Sequence, residues 1–200
     1  LGQVNLRDVC WGGRLATVCV PDYEPLGGKS VIRSARLPSA SRVGNEADGI
    51  RRAALTEGAE KAIATAEATK KWDDPDYLRA NELFVREHIG GPWGPDDPSC
   101  LTRPKISGSE AYSVAWGPNE YNPLGNLSNW EYLNKMKEWD IPTLINDGAE
   151  DESTPYINMQ MHKAVRGSEW NIFEFSRHMS YVEEHGKYIA IVKDFLNRCD

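Results

Sequence analysis

Two short polar segments in the C-terminal half of the chain each follow directly on a strand-like apolar run. The segments are 148–155 (Gly-Ala-Glu-Asp-Glu-Ser-Thr-Pro), after the run 142–145, and 173–179 (Phe-Glu-Phe-Ser-Arg-His-Met), after the run 170–173. Open α/β sheets present the carboxyl ends of neighbouring strands at one edge, where such folds place their sites. The pattern therefore predicts that Asp151 and His178 lie side by side, as the last two members of a hydrolase triad.

Composition limits the classes of protein that the chain can be. Its 200 residues fit one domain, or one domain with an insertion. A content of 40% hydrophobic and 26% charged residues is typical of a folded globular protein. The net charge of −7, with the basic residues standing among carboxylates, argues against a nucleic-acid partner.

The sequence shows no pattern typical of a membrane span, a metal site or a secretion signal. No run approaches the roughly 18 to 20 apolar residues that span a bilayer, so we expect no membrane partner. The four cysteines lack CxxC spacing, which predicts neither a zinc site nor a disulfide framework. Without a basic-then-apolar N-terminal pattern, we expect a cytoplasmic protein. Because residue 1 is leucine rather than methionine, we also expect the sequence to be a fragment that lacks its true start.

The chain divides into three parts of different texture. Residues 1–41 and 122–200 contain short apolar runs of strand and helix type, whereas residues 42–121 are mainly helical. The predicted elements are a helix around 14–20, a strand at 30–34, helical density over 46–71 and 77–88, a Gly- and Pro-rich loop at 90–105, a helical stripe of Tyr132, Met136 and Trp139, strands at 142–145 and 170–173, and helices at 155–164 and 183–197.

Four motifs carry a resemblance to a known family. They are Trp-Gly-Pro-Asn-Glu-Tyr at 116–121, Gly-Asn-Leu-Ser-Asn-Trp at 125–130, the segment 148–155 described above, and His-Met-Ser-Tyr-Val-Glu-Glu at 178–184. Together they resemble the prolyl aminopeptidases (proline iminopeptidases) of the α/β-hydrolase superfamily. The resemblance covers most of the chain and is most specific from Trp116 onward. It implies a partial α/β-hydrolase core, 1–41 and 122–200, with a helical cap inserted at 42–121.

The resemblance assigns roles to two residues. In that family the aspartate of Gly-x-x-Asp-Glu-x-Thr-Pro orients the catalytic histidine, and Asp151 occupies its place. His178 matches the general base. The chemistry agrees, because Asp151 would hold one ring nitrogen while the other takes a proton from the nucleophile and returns it to the leaving amine.

The nucleophile departs from the family pattern, Gly-x-Ser-Trp-Gly-Gly. A gapless alignment on Trp-Gly-Gly at 11–13 puts Cys10 in the serine's place and Asp8 in that of the first glycine. A thiol near a histidine is a competent nucleophile. A second alignment matches Leu-Gly-Gln at 1–3 and treats 4–10 as an insertion that breaks the elbow. Cys10 would also fit as a small buried hydrophobe.

The family's oxyanion loop, His-Gly-Gly-Pro-Gly, is expected upstream of Leu1. Residues 88–92, His-Ile-Gly-Gly-Pro, imitate it in the cap region. We interpret this match as a coincidence. Loss of one oxyanion donor typically costs about 100- to 1,000-fold in rate.

Prolyl aminopeptidases recognise a free, positively charged N-terminal amine. The resemblance therefore implies carboxylates in the substrate pocket. Glu120 matches one family residue, and Glu87 is a possible second carboxylate. Trp93, Trp116 and Tyr121 could provide apolar walls for a pyrrolidine ring. We interpret Glu183 and Glu184 as favourable charges at the start of the last helix.

The sequence therefore predicts release of an N-terminal residue, preferably proline, from small peptides or amino-acid amides through an acyl-enzyme, without a metal or cofactor. Two alternatives remain open. One is an amidase or esterase on the same scaffold. The other is an inactive homologue that binds peptides or a protein partner. The sequence leaves the oligomeric state open.

Overall fold

The computed structural model describes residues 3–23, 27–35, 38–104, 106 and 108–199, apart from the side chain of Trp11. Its centre is a parallel sheet, and the described strands follow chain order across it. They are β1 (Val4–Val9), β2 (Gly28–Ser34), β3 (Thr143–Gly148) and β4 (Glu169–Phe173). All carboxyl ends therefore lie at one edge, and the predicted pairing of β3 with β4 is confirmed.

Helices connect and cover these strands. In chain order the described helices are α1 (Trp11–Tyr23), α2 (Ala40–Ala54), α3 (Glu57–Thr69), α4 (Pro75–His88), α5 (Ser99–Thr102), α6 (Ser109–Ala115), α7 (Pro155–Ala164), α8 (Ser180–Glu183) and α9 (His185–Cys199). Polar side chains cap several of them. Thr154, for example, accepts the backbone N–H of Ile157, and Pro155 occupies the first helical position, where its missing N–H does no damage.

The two faces of the sheet carry separate apolar cores, because successive strand residues point to opposite sides. Val31 and Ile145 face a cluster that includes Met161 of α7. Ile32 and Leu144 face the opposite cluster, which α9 completes. The α9 residues there are Tyr188, Val192 and Phe195, the stripe predicted from the sequence.

The helical segment between β2 and β3 has its own core. α2, α3 and α4 pack against one another and against Tyr121, which follows α6. The buried residues that the three helices contribute are Ala47, Ile63, Ala66, Tyr77, Ala80 and Phe84. A smaller cluster joins this segment to the sheet, because Ala40 and Val43 of α2 pack with Trp116 and with Ile157 of α7. The predicted boundary after residue 41 thus falls inside α2, and the division into core and cap stays a prediction.

Some elements differ from the sequence-based expectation. Of the predicted stripe Tyr132, Met136 and Trp139, only Met136 lies in a helix, the short 3₁₀ helix Lys135–Glu138. The N–H of Trp139, which follows this helix, bonds to the carbonyl of Met136 three residues back. The loop predicted at 90–105 contains the one-turn helix α5. Strand β1 was not predicted, since Asp8 stands where the alternation of Val4 and Leu6 would place an apolar residue.

Within the described part of the chain, no helix has both the length and the apolar character that crossing a membrane requires.

Candidate active site

Cys10 forms the turn between β1 and α1. Its backbone is left-handed, with φ of +52°, and the N–H of Gly13 donates to its carbonyl at 3.2 Å. A residue with a Cβ pays roughly 1–2 kcal/mol for this conformation, and such strain collects at functional turns. The thiol-bearing residue is exposed. This is the position that the gapless alignment gives to Cys10, and the turn is intact. Leu1 and Gly2, which the second alignment uses, lie outside the described residues.

Asp8, which stands where the family pattern has glycine, fits beneath this turn. Its side chain is buried, and a Cβ added to Gly12 would lie 3.8 Å from the Cβ of Asp8, an ordinary contact. The strand register places the fully buried Arg33 opposite Asp8. The Asp8 carboxylate is therefore buried beside the start of α1, in register with Arg33.

Asp151 lies in the loop after β3. Its backbone N–H donates to the carbonyl of Gly148 at 3.3 Å, and its Oδ1 accepts the N–H of Ser153 at 2.9 Å. The residue is 2% exposed. These bonds within the loop orient the carboxylate of Asp151 independently of His178.

His178 lies in the loop after β4 and is also buried. Its Nδ1 donates to Oδ1 of Asp151 at 2.9 Å, and the imidazole also hydrogen-bonds to the side chain of Cys10. Burial opposes a charge on the ring. Three contacts outweigh the effect of burial and raise the pKa of His178 well above its usual value. They are the charge and hydrogen bond of Asp151, the hydrogen bond with Cys10 and the charge of Glu152. The three residues thus form a hydrogen-bonded chain of thiol, imidazole and carboxylate.

The two loops that carry Asp151 and His178 are bonded to each other through their backbones. Ala149 N–H donates to Phe173 O at 2.9 Å, and Glu150 N–H donates to Ser176 O at 3.1 Å. The loops approach so closely at Gly148 that an added Cβ would lie 2.1 Å from the carbonyl oxygen of Arg177. This contact admits only glycine.

Two glutamates anchor the His178 loop from the other side. Glu183 accepts the backbone N–H of Arg177 at 2.7 Å and its Nε at 2.6 Å. Glu184 accepts the hydroxyl of Ser176 at 2.7 Å and the N–H of Phe175 at 3.0 Å. Their contacts therefore go beyond the helix-start charge that the sequence predicts.

A cavity of about 720 Å³ opens beside Cys10 and His178. Its wall is completed by α1, the end of β2, α6 and the segment after α6. The remaining lining residues are Arg14, Ala35, Gly108, Ser109, Ala111, Tyr112, Ser113, Ala115, Trp116, Pro118, Glu120 and Glu152. The guanidinium of Arg14 lies 4.0 Å from the centre of the Trp116 ring, so part of the wall is aromatic and part is charged.

Two carboxylates face this cavity. Glu120 accepts a short hydrogen bond from the hydroxyl of Tyr112, and its carbonyl accepts Nε1–H of Trp116 at 3.0 Å. Glu152 is buried next to Asp151. Burial raises the pKa of Glu152 well above its usual value, and the charge of Glu120 raises it further, although the charge of His178 opposes both. A cation entering the cavity would relieve the repulsion between Glu120 and Glu152.

Comparison with known proteins places this chain in a family. The chain is 40% identical over 201 residues to a proline iminopeptidase of Clostridium botulinum; the match covers 100% of the chain and 68% of that relative. The chain belongs to the proline iminopeptidase family. A search against protein-family models found no match.

Solved structures agree on the fold. The structure of the proline iminopeptidase of Mycobacterium smegmatis superposes with a TM-score of 0.82 at 25% identity, and the match covers 100% of this chain and 66% of that one. VinJ superposes with a TM-score of 0.89 at 23% identity, covering 100% of this chain and 67% of VinJ. The predicted α/β-hydrolase fold is confirmed, in the partial form that spans 68% of the botulinum iminopeptidase.

The residues predicted from family resemblance do not all meet at the cavity. Cys10, Asp151 and His178 come together, and Glu120 and Trp116 line the adjoining space. Glu87 does not, because it is exposed on α4 and pairs with Arg86 at 3.0 Å.

Tyr121 also lies elsewhere. Its ring packs edge-on against Phe84 at 4.7 Å in the core of the helical segment, and the guanidinium of Arg51 lies 5.5 Å from it. Trp93 lies beside Gly90, where an added Cβ would be 3.0 Å from its ring. The apolar wall of the cavity is therefore Trp116 rather than these two aromatic residues.

Sequence reasoning missed Glu152 and Tyr112 as members of the site. Glu152 is the residue after Asp151 in the Gly-x-x-Asp-Glu-x-Thr-Pro motif of the iminopeptidases, which was the available signal. Tyr112 carries no motif of its own, and only the fold of α6 brings its hydroxyl to Glu120. Among the residues that the structure describes, no cluster of three or more His, Cys, Asp or Glu side chains could hold a metal ion.

Proposed function

We propose that this chain carries the acid–base and amine-binding machinery of a prolyl aminopeptidase in which cysteine replaces serine as the nucleophile. The observation that supports it most is the imidazole of His178, which hydrogen-bonds to both Asp151 and Cys10 at the wall of a cavity that holds two further carboxylates. The chain's relatives in the family support the same reaction class.

The first half of the reaction forms a thioester. The sulfur of Cys10 attacks the carbonyl carbon of the N-terminal residue, and the imidazolium of His178 gives its proton to the leaving amine. Asp151 keeps the ring in the orientation that this transfer needs. The start of α1 favours negative charge at Cys10, because helix N-termini present unpaired N–H groups and the positive end of the dipole.

The second half releases the acyl group. Water attacks the thioester while neutral His178 takes its proton, and the sulfur leaves as the thiolate. The backbone N–H of Trp11, directly after the nucleophile, is one donor for the oxyanion in both halves. No metal takes part in these steps.

Glu120 and Glu152 bind the substrate's free ammonium group in this proposal. Burial and the charge of Glu120 raise the pKa of Glu152, so a cation placed between the two carboxylates would relieve their repulsion. An acetylated amine carries no positive charge and would leave both groups uncompensated. The proposal therefore predicts exopeptidase specificity, with the Trp116 ring against the side chain or pyrrolidine of the first residue.

A substrate panel tests the proposal. We would incubate the purified chain with chromogenic prolyl, alanyl and acetyl-prolyl amides and a prolyl ester, beside Cys10→Ala and Cys10→Ser. Turnover of the free-amine prolyl amide by the chain, abolished in Cys10→Ala, is the expected result. Equal turnover of acetylated substrates would indicate an amidase or esterase instead. Absence of turnover, with tight binding of a prolyl peptide by calorimetry, would indicate an inactive binding homologue.

A further inference from the structure

The C-terminal end of α4 contacts the loop that carries His178. The last carbonyls of a helix have no partner within the helix, so they are available as acceptors. His88 O accepts the backbone N–H of His178 at 3.2 Å. The guanidinium of Arg177 donates through Nη1 to Arg86 O, by a short bond, and to Gly91 O at 3.1 Å. The end of α4 thus fixes the position of the loop that carries His178.

The side chain of His88 reaches the other loop. His88 is 6% exposed, and its ring lies against Phe84 with 4.9 Å between ring centres. Nδ1 of His88 is 2.9 Å from the carbonyl oxygen of Glu150. A carbonyl only accepts, so Nδ1 must carry a proton and donate it. Glu150 directly precedes Asp151.

His88 therefore holds both loops. Its backbone oxygen accepts from His178, and its ring nitrogen donates to Glu150, the residue before Asp151. The N–H of Glu150 is also used, since it donates to Ser176 at 3.1 Å. The distance from Asp151 to His178 depends on how these loops lie against each other. A misplacement of about 1 Å between reacting groups can cost about 100-fold in rate.

We propose that His88 is a positioning residue, which sets the geometry of the Asp151–His178 pair from the helical segment by donating to Glu150 and accepting from His178. The proposal rests on the proposed function for its kinetic consequence, while its structural consequence can be measured without turnover. It gives the His-Ile-Gly-Gly-Pro segment a role different from that of an oxyanion loop.

Two substitutions separate this role from packing. His88→Phe keeps an aromatic ring beside Phe84 and removes the donor. His88→Asn gives up the ring and keeps an amide N–H near the place of Nδ1. We expect His88→Phe to lower kcat for a prolyl amide about 10- to 100-fold with KM within about twofold, and His88→Asn to recover most of kcat. If His88 acts only through packing, His88→Phe should instead keep more of the parent kcat than His88→Asn.

A spectroscopic measurement makes the test independent of activity. The proton between Nδ1 of His178 and Asp151 should give a far-downfield NMR signal in the parent chain and in His88→Asn, and should broaden or move upfield in His88→Phe. An unchanged signal together with unchanged kcat in His88→Phe would overturn the proposal. His88→Met, which fills the space without a donor, serves if the phenylalanine variant does not fold.

The two proposals fail in different ways. If the parent chain turns over no prolyl substrate, the proposed function is lost, whereas the NMR comparison still decides the role of His88. If the parent chain is active and His88→Phe matches it in kcat and in the Nδ1 proton signal, only the positioning role is lost.

Discussion

Glu152 places its Oε1 3.9 Å from Nδ1 of His178, although that nitrogen already donates to Asp151. The carboxylate therefore acts on the imidazole through its charge rather than through a hydrogen bond. It also faces the cavity next to Glu120. Two measurable consequences follow, one for substrate binding and one for the pH dependence of the reaction.

Glu152→Gln should weaken binding of a free-amine substrate. A charge-assisted hydrogen bond contributes about 1.5–3 kcal/mol, so we expect kcat/KM for a prolyl amide to fall roughly 10- to 100-fold, mainly through KM. Steady-state kinetics would measure this. Glu82→Gln, on the exposed face of α4, is the matched control and should change neither constant. Equal losses in the two variants would contradict the assignment.

The same substitution should change the pH profile. The charge of Glu152 helps to raise the pKa of His178, after the larger contribution of Asp151 and against the effect of burial. Removing that charge lowers the pKa. Because the imidazolium must be protonated to serve the leaving amine, the alkaline limb of kcat/KM should move to lower pH in Glu152→Gln. An alkaline limb that stays in place would contradict this effect of the charge.

Sequence patterns could predict the parts of this site that depend on strand order. Asp151 and His178 follow neighbouring parallel strands, and parallel strands end at one edge. The pattern of α9 likewise fixed its buried stripe, because helical spacing alone decides which side chains share a face.

Side-chain direction in the helical segment was not predictable in this way. Glu120 and Tyr121 are adjacent in one motif, yet Glu120 faces the cavity and Tyr121 packs against Phe84. Glu87 lies on α4, but the buried face of that helix belongs to Tyr77 and its neighbours at helical spacing, which leaves Glu87 exposed. Packing among helices far apart in sequence decides these directions.

Stability should depend on Asp147, a fully buried residue of β3. Burial raises the pKa of Asp147 to about 8, the hydrogen bond from Trp170 opposes this, and the charge of Asp151 adds to it. Between about pH 4 and 8 the folded chain then holds a proton that the unfolded chain has lost. The free energy of unfolding should fall as pH rises, by up to about 1.4 kcal/mol per pH unit from this group.

Urea unfolding at pH 5, 6, 7 and 8 would measure that slope. Asp147→Asn keeps an acceptor for Trp170 and removes the titration, so its slope should be flatter than that of the parent chain. Asp73→Asn, at an exposed site, should retain the parent slope. Identical slopes in all three proteins would rule out Asp147 as the source.

Gly148→Ala should disrupt the contact between the loops that carry Asp151 and His178. The added Cβ would meet backbone oxygens of Arg177 at 2.1 Å and Ser176 at 2.3 Å, and backbone cannot move aside as a flexible side chain can. We expect the free energy of unfolding to fall by about 3 kcal/mol or more, or the variant to fail to fold. Thermal unfolding followed by circular dichroism would measure it.

Gly49→Ala is the matched control for that substitution. Gly49 lies on the exposed face of α2, and an added Cβ would meet nothing within 4 Å. Alanine should therefore stabilise the helix by about 1 kcal/mol. A Gly148→Ala variant as stable as Gly49→Ala would mean that the two loops do not approach as described.

Alkylation should single out Cys10 among the four cysteines. The imidazole of His178 hydrogen-bonds to Cys10, and the start of α1 favours its thiolate, which is the reactive form. Near neutral pH, iodoacetamide should label Cys10 faster than Cys19, Cys100 or Cys199, as followed by peptide mass spectrometry. Cys100 is exposed as well, so exposure alone would label it at a similar rate. His178→Gln should bring the rate at Cys10 down toward that of Cys100. Equal alkylation rates at all four cysteines of the parent chain would contradict the assignment of Cys10 as the nucleophile.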